Sequence, residues 1–329
     1  MTLLTGGIKS DPKFWGRKWR IVITLTDGTV LDDKGSTSSY GLDVSNLRVT
    51  GTITDKVLTS YNRADITIYN LNRQTEKLIL SQGKKIVIEL GYQDPDLYGA
   101  VFSGTIYQAK RGKANVTDYT LTLHALGDYD VLTQGIISAT IKRGTNYREL
   151  LEQVAKSSDP ILEVGDVPEG WGEDKNLSRG LSVVGKTKDV LKGISDSTNT
   201  MLRIDGGKIN VISLTDKPTE AFELNYRTGL VGQPAQNKDG VAFQCLINPK
   251  IKLNSWVHIN NAIINESDID FGNANAQTQI PLDVDGLYRV IERQFQFDTR
   301  GNDWYINCQT YTQTGALPAF LIDGATKGF

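Results

Sequence analysis

The segment GLSVVGKT, residues 180–187, has the residue types and spacing that come closest to a known chemistry. Gly180, Gly185, Lys186 and Thr187 match the Gly-x-x-x-x-Gly-Lys-Ser/Thr pattern of phosphate-binding loops. Such a loop follows a buried strand and wraps its backbone N–H groups around the phosphates. The preceding residues, EDKNLSR, make no buried strand, and LSVV between the two glycines itself favours a strand. We therefore interpret the match as a strand-to-helix turn and expect no bound cofactor.

The two histidines, His124 and His258, each fall in a predicted strand, where a structural role is the ordinary one. The sequence has no His-Glu-x-x-His, Gly-x-Ser-x-Gly or Cys-x-x-Cys motif, so the signatures of zinc and serine hydrolases are absent. Paired carboxylates of a glycosidase have no comparable signature, and that alternative stays open. The motifs predict no catalytic residues.

Two acidic clusters, Asp94–Asp96 and Asp268–Asp270, carry the oxygen ligands that calcium prefers. Neither has the spacing of a known calcium-binding loop, and Asp is common in turns. We predict turn residues at both places and no metal site.

Cys245 and Cys308 lie in two strand-like segments, VAFQCLIN and WYINCQTY. Free cysteines are among the most buried residues, so we predict two reduced thiols in the core. Spacing alone does not exclude a disulfide between them.

The composition is that of an ordinary soluble protein of two or three domains, with 329 residues and 39% hydrophobic residues. The 36 basic residues nearly balance the 38 acidic residues, which argues against a dedicated nucleic-acid-binding protein. No apolar run is long enough to span a membrane, and the first residues lack the apolar core of a signal peptide. We expect no membrane insertion and no sequence-specific binding of nucleic acid.

Two parts of the chain repeat the same order of strand-like segments. The first part comprises KKIVIELGY (84–92), LYGAVFSGTIYQAKRG (97–112) and VTDYTLTLHALG (116–127). The second part comprises NSWVHINNA (254–262), DGLYRVIERQFQFDTRG (285–301) and NDWYINCQTYTQ (302–313). In each part a strand ending in Arg-Gly precedes a strand that opens on an aromatic residue. A repeated supersecondary unit predicts two similar β-modules.

Around these repeats the local patterns predict further strands and a few helices. Ala64, Ile66 and Ile68 alternate with polar residues and mark one buried face of a strand. Residues 72–82 predict a short helix capped near Asn72. We interpret 225–256 as a connector that leads into the second β-module.

The middle of the chain predicts a small α/β unit built from two strand–turn–helix segments, 138–157 and 180–199. Asn146 and Glu149 have the spacing of a helix cap. The stretch 159–179 is rich in Gly, Pro and acidic residues and predicts an exposed loop.

The sequence thus predicts an α+β fold, mainly β, with two similar β-barrel-like modules flanking a small α/β insert. The predicted domains are 1–130, 131–224, 225–314 and a C-terminal tail, 315–329. The apolar tail either packs on its own domain or contacts a partner, and in the second case we predict the interface through Leu317, Phe320, Leu321 and Phe329.

Several of these segments resemble one protein family. GLVGQPAQNKDGVAFQCLINPKIKLNSWVHI (229–259) and DGLYRVIERQFQFDTRGNDWYINCQTY (285–311) resemble the connector and last strands of baseplate hub proteins of contractile-tailed phages. RADITIYNLN (63–72), with VIELGYQDPDLYGAVFSGTIYQAKRG (87–112), resembles the opening module of that family. The likeness extends from about residue 20 to 312 and rests on the number and order of structural motifs.

The resemblance implies a structural, non-enzymatic homotrimer at the tip of the phage tail, assembled in the host cytoplasm. Three chains with two modules each would form a pseudo-sixfold ring that joins the sixfold tail tube, or a tube-initiator protein, to a trimeric central spike. Baseplate wedge proteins are further implied partners. A lumen without a basic lining would then let DNA pass after the spike is released.

Other functions stay open beside this one. A hub-like component of a related injection system would share the modules, although such chains usually carry a fused spike. A tail-associated cell-wall hydrolase would need a catalytic set that the motifs do not supply. Trp171 in the 159–179 loop raises a third alternative, a carbohydrate-binding module.

Overall fold

The computed structural model describes residues 13–25, 41–57, 62–198, 200–212, 221–237, 240–265 and 282–312. Contacts between residues divide them into two units. The first unit takes its described residues from Met1–Val57, Asn62–Leu126 and Pro218–Ala316, and the second takes them from Gly127–Lys217.

The described residues form nineteen strands, four α-helices and two 3₁₀ turns, Pro95–Leu97 and Asn261–Ile263. The strands are β1 Arg17–Leu25, β2 Leu42–Asp43, β3 Val49–Lys56, β4 Arg63–Tyr69, β5 Gly83–Tyr92, β6 Tyr98–Lys113, β7 Tyr119–Leu126, β8 Ile136–Ile141, β9 Ser158–Asp159, β10 Glu163–Val164, β11 Leu181–Lys186, β12 Met201–Asp205, β13 Lys208–Ile212, β14 Phe222–Leu224, β15 Leu230–Asn237, β16 Gly240–Leu246, β17 Trp256–Ile259, β18 Leu287–Asp298 and β19 Trp304–Thr312. The helices are α1 Arg73–Gln82, α2 Tyr129–Gln134, α3 Tyr147–Lys156 and α4 Thr187–Thr198. The prediction of a mainly β fold is confirmed.

The first unit is a single sheet in which the same strand order occurs twice. Its path is β15-β16-β19-β18-β3-β4-β7-β6-β5-β1-β2, and β17 pairs with β18. One copy is therefore β3-β4-β7-β6-β5 and the other is β15-β16-β19-β18-β17. All these neighbours are antiparallel. The predicted repeat is thus a repeat of strand pairing, and the two copies lie in one sheet.

The irregularities of the two copies also correspond. β6 has a bulge between Ile106 and Gln108, where it pairs with β7. β18 has a bulge between Val290 and Glu292, where it pairs with β19. Bulges are specific features of a strand pair, so their shared place supports the equivalence of β6 with β18.

The alternation of apolar and polar residues positions these strands. Ala64, Ile66 and Ile68 are fully buried, as predicted. The segment interpreted as a connector, 225–256, differs from expectation because it contains β15 and β16, the first two strands of the second copy. Its Gly, Pro and Gln residues lie in the irregular pairing between Val231 and Ala235, which hid the strand pattern.

The second unit has two small sheets, β11-β8-β9 and β10-β13-β12, with α2, α3 and α4. The predicted cap of α3 is present, because Asn146 Oδ1 accepts the backbone N–H of Glu149 at 2.8 Å. Leu150 and Leu151 of α3 and Leu191 of α4 are buried in one apolar cluster. The domain boundaries drawn from the sequence at residues 131 and 224 stay predictions.

The stretch 159–179 is not simply an exposed loop, as the sequence suggested. It contains β10, and Leu162 and Trp171 are buried in the apolar cluster of the second unit. Trp171 Nε1 donates to Thr200 Oγ1 at 3.3 Å. Trp171 is therefore a core residue, and its indole lacks the exposure that suggested carbohydrate binding.

Candidate functional site

The segment 180–187 is a strand followed directly by a helix. Gly185 and Lys186 belong to β11 and lie opposite Ile137 and Ile136 of β8. The helix α4 then begins at Thr187. This extended backbone is paired along one edge and does not turn its N–H groups toward a common centre, which an anion nest requires.

Thr187 is fully buried, so its side chain does not face a ligand in solvent. Its backbone N–H donates to Gly135 O at 2.9 Å. Among the described residues, Thr187 Oγ1 has no hydrogen-bond partner. Lys186, one residue earlier, is exposed. The residues of the motif therefore do not converge on one point.

His124 lies on β7 opposite Asp65 of β4, and its Nδ1 is 2.5 Å from Asp65 Oδ1. Arg63 also contacts the Asp65 carboxylate, at 3.0 Å. Thr67 and Thr122, further along the same strands, bond to each other through their hydroxyls at 3.1 Å. The His124–Asp65 and Thr67–Thr122 contacts join neighbouring strands across the sheet, and Arg63 supports Asp65 from the same strand, which is a structural arrangement.

The two cysteines are buried and free. They lie on neighbouring strands, because Cys245 is opposite Ile306 and Cys308 is opposite Phe243. Burial and a hydrogen bond with Cys245 raise the pKa of the Cys308 thiol well above its ordinary value. Cys308 is therefore kept as a thiol, the form with little nucleophilic reactivity.

The acidic residues serve as turn residues where the structure describes them. Asp94 Oδ1 accepts the backbone N–H of Asp96 at 3.1 Å, and the Asp96 carboxylate pairs with Lys250. Asp268–Asp270 lies outside the described residues. Across the parts of the chain that the structure describes, no group of three or more His, Cys, Asp or Glu side chains could hold a metal ion.

The two copies of the repeat in the first unit meet at one strand pairing. The second half of β18, from Glu292 to Asp298, pairs antiparallel with Thr50–Lys56 of β3. The first half of β18, from Leu287 to Arg289, pairs with β17 along the same edge. We call the β18–β3 pairing the inner joint. It connects strands that are more than 230 residues apart in the sequence.

A buried ion pair holds the centre of the inner joint. Arg293 and Asp55 lie directly opposite each other, with their side chains 8% and 2% exposed. Arg293 donates to Asp55 Oδ2 from Nε at 2.9 Å and from Nη2 at 2.8 Å. Its Nη1 donates to Ile251 O at 2.9 Å. Because the charges are paired and hydrogen-bonded, their burial is tolerated.

A second, half-exposed ion pair lies at the end of the joint. Arg48 contacts Asp298 through Nη2 at 2.7 Å. Burial opposes the ionisation of Asp298, but hydrogen bonds from Arg48 and from the backbone N–H groups of Arg300 and Gly301 outweigh it and lower the Asp298 pKa. Asp298 is therefore ionised wherever the protein is folded at neutral pH.

Apolar packing completes the inner joint. Phe295 and Phe297 of β18 and Trp304 of β19 are buried. Phe297 lies opposite Gly51, where an added Cβ would lie 2.7 Å from the Phe297 ring. A glycine inside this strand is thus explained by the close approach of an aromatic ring.

β6, the counterpart of β18, has no such partner strand along its second half. Its residues up to Thr105 pair with β5 on one edge. From Gln108 to Lys113 it pairs with β7 on the other edge. Among the described residues, no strand pairs with the β5-side edge of Gln108–Lys113. We call this stretch the open edge of β6.

β15 is one end of the strand path, and it pairs with β16 on one side. Its outer side is partly occupied by Asn265. Asn265 N donates to Pro234 O, and Gln236 N donates to Asn265 O, both at 2.8 Å. The outer side of β15 and the open edge of β6 are thus two places in the first unit, among the described residues, where a further strand could pair.

The sequence did not locate these edges or the inner joint. Arg293 and Asp55 each look like an ordinary charged residue in an alternating strand. The available signal was the aromatic residues Phe295 and Phe297 in β18, where the first copy has Arg111 and Lys113.

The predicted interface residues of the tail, Leu317, Phe320, Leu321 and Phe329, lie outside the described residues. No helix in the described part is long and apolar enough to cross a membrane.

Comparison with known proteins gives one family and a shared fold. Residues 20–270 match the family described as baseplate hub gp41. No curated protein sequence matches the chain. The solved tail protein from Neisseria meningitidis MC58 is similar with a TM-score of 0.50 and 11% identity, over 92% of this chain and 99% of that one. The 43 kDa tail protein of prophage MuSo2 from Shewanella oneidensis is similar with a TM-score of 0.52 and 8% identity, over 90% of this chain and 99% of that one.

Proposed function

The chain belongs to the baseplate hub gp41 family and is a structural component of a phage tail, and from this premise we propose that three copies form a pseudo-sixfold ring at the tail tip. The inner joint is the observation that supports the proposal. It joins two copies of one strand order edge to edge within a single sheet. Three chains would supply six such copies, and a head-to-tail interface closes into a ring when its rotation allows.

In this proposal the ring adapts a sixfold tail tube to a threefold central spike. Six similar modules match the tube, and the threefold repeat of whole chains matches the spike. Tube-initiator and wedge proteins are further proposed partners, assembled with the ring in the host cytoplasm. DNA would pass through the lumen once the spike is released. The apolar tail, with Leu317 and Phe320, is proposed to contact one of these partners.

The ring requires a trimer, which light scattering on the purified chain measures directly. We expect three times the chain mass of 36.3 kDa, and class averages in negative-stain electron microscopy with six lobes. A monomer at high concentration that also forms no ring with tube or spike partners would contradict the proposal.

We propose no enzymatic reaction for this structural protein. A turbidity assay on peptidoglycan tests the alternative of a cell-wall hydrolase, and we expect no clearing. Clearing by the purified chain would contradict the structural role as its sole function.

A further inference from the structure

We propose that the open edge of β6 pairs antiparallel with β15 of a second copy of this chain. We call this pairing the outer joint. The inference rests on the proposed ring and names the strands that would close it. It follows from the internal repeat, because the two copies differ in what covers the edge of equivalent strands.

The equivalence of the strands can be followed residue by residue. Tyr119 and Trp304 open β7 and β19, and the register places Lys113 opposite Tyr119 and Phe297 opposite Trp304. Lys113 of β6 is therefore the counterpart of Phe297 of β18, and Gly112 is the counterpart of Gln296. In the inner joint this part of β18 is covered by β3.

The counterpart of β3 in the second copy is β15. Thr52 of β3 lies opposite Asp65 of β4, and Asp65 in turn lies opposite His124 of β7. In the second copy, Ala235 of β15 lies opposite Ala242 of β16, and Ala242 lies opposite Gln309 of β19, which is the counterpart of His124.

Thr52 and Ala235 are thus equivalent residues, and Thr52 lies opposite Gln296 in the inner joint. The same register places Ala235 of the second copy opposite Gly112 in the outer joint. Ala235 and Gly112 are both exposed in the single chain.

Charge disfavours the pairing of two open β6 edges with each other, and the register of the repeat selects β15 as the partner. The open edge of β6 carries three exposed cations, Lys110, Arg111 and Lys113, of which Arg111 pairs with Glu76. Two such edges facing each other would repel, which is a common protection of edge strands. β15, with the sequence LVGQPAQN, has no charged residue. It can therefore approach β6 without like-charge repulsion, so the joint is head-to-tail.

In the single chain, Asn265 occupies part of the outer edge of β15. Its two backbone bonds to Pro234 and Gln236 cover the part of β15 that contains Ala235. On pairing, the partner's β6 would replace these two bonds with its own, so the number of backbone hydrogen bonds need not fall. Asn265 thus keeps the edge occupied until a second copy is present.

Cysteine crosslinking of the full chain tests the register. The variant Gly112→Cys with Ala235→Cys should give chains linked to one another under mild oxidation, because opposed residues of an antiparallel pair lie within disulfide range. The control keeps Ala235→Cys and moves the other thiol to the turn between β6 and β7, Val116→Cys, where the side chain is 91% exposed. The native cysteines are buried and stay unreactive. Equal crosslinking in both variants, or none in the first, would overturn the register.

A matched charge pair tests the same contact without crosslinking. Because side chains alternate along a strand, Ala235→Lys places a cation on the same sheet face as Lys110 of the partner, and Ala235→Glu places an anion there. We expect the first change to raise the concentration at half-assembly at least tenfold and the second to leave it unchanged or lower it. Equal effects of the two variants would overturn the contact.

The outcomes separate this inference from the proposed ring. If the wild-type chain is trimeric but neither test gives the expected difference, the ring uses other edges and the outer joint is wrong. If no oligomer forms with or without partners, the ring itself is wrong.

Discussion

The second half of β18 and the second half of β6 are equivalent stretches of one repeat, yet they have opposite surroundings. In β18 the residues Arg293, Phe295 and Phe297 are buried against β3. Their counterparts in β6 are Ala109, Arg111 and Lys113, of which only Ala109 is half-buried and the others are exposed.

The two stretches show how a duplicated strand is adapted either to a partner strand in the same chain or to one in another chain. The partner of β18 is part of the same chain, so aromatic residues and a buried ion pair can fill the contact from the time of folding. An edge that waits for another chain has to remain soluble, and cations on an edge strand serve that need. On this interpretation the inner joint contributes to stability and the outer joint contributes to assembly.

Truncation of the equivalent residues gives the largest expected contrast. Phe297→Ala should lower the free energy of unfolding by about 4 kcal/mol, because it removes a buried aromatic side chain that packs against Trp304 and Gly51. Lys113→Ala, the matched change in β6, should stay within about 0.5 kcal/mol. Chemical denaturation of both variants measures the difference. Similar losses would show that the two stretches are not in different surroundings.

The buried ion pair should follow as the next largest effect. Asp55→Asn leaves the Arg293 guanidinium buried without a carboxylate, which we expect to cost about 3 kcal/mol. A double variant, Asp55→Leu with Arg293→Met, removes both charges and should recover most of that loss. Denaturation of the single and double variants forms the measurement. A double variant as unstable as Asp55→Asn would mean that the pair itself, and not the unpaired charge, supplies the stability.

Local patterns were enough to predict most individual elements. The cap at Asn146, the helix at 73–82 and the buried face of β4 all depend on residues a few positions apart. The repeat was visible because Arg-Gly and an aromatic residue recur at the same places in both copies.

Pairing between distant strands could not be predicted in the same way. The first half of β18 pairs with β17 and its second half pairs with the distant β3, and the sequence of β18 alone does not indicate where the partner changes. The loop around Trp171 shows the same limit, since its Gly, Pro and acidic residues predict exposure while tertiary contacts bury the ring. β15 was missed because its bulge interrupts the alternation that marks a strand.

The half-exposed ion pair at the end of the inner joint gives the smallest effect and the one that depends on pH. Arg48→Ala should cost about 1 kcal/mol at neutral pH, because the Arg48 side chain is 49% exposed and its contact with Asp298 is partly screened. The folded-state pKa of Asp298 is lowered, so this contribution is present above the unfolded value of about 3.9 and is lost as the pH falls through the folded value. The difference between wild type and Arg48→Ala should therefore shrink as the pH falls below about 4.

Thermal unfolding of both proteins between pH 7 and pH 3 measures this difference. Arg300→Ala is the matched control, because it removes a nearby cation while its backbone N–H still donates to Asp298 at 2.9 Å. We expect its effect to be independent of pH over the same range. If Arg48→Ala and Arg300→Ala lose stability in parallel at every pH, general charge and not the Arg48–Asp298 contact would account for both. The polar end of the inner joint would then resemble the cationic edge of β6 more than its own buried centre.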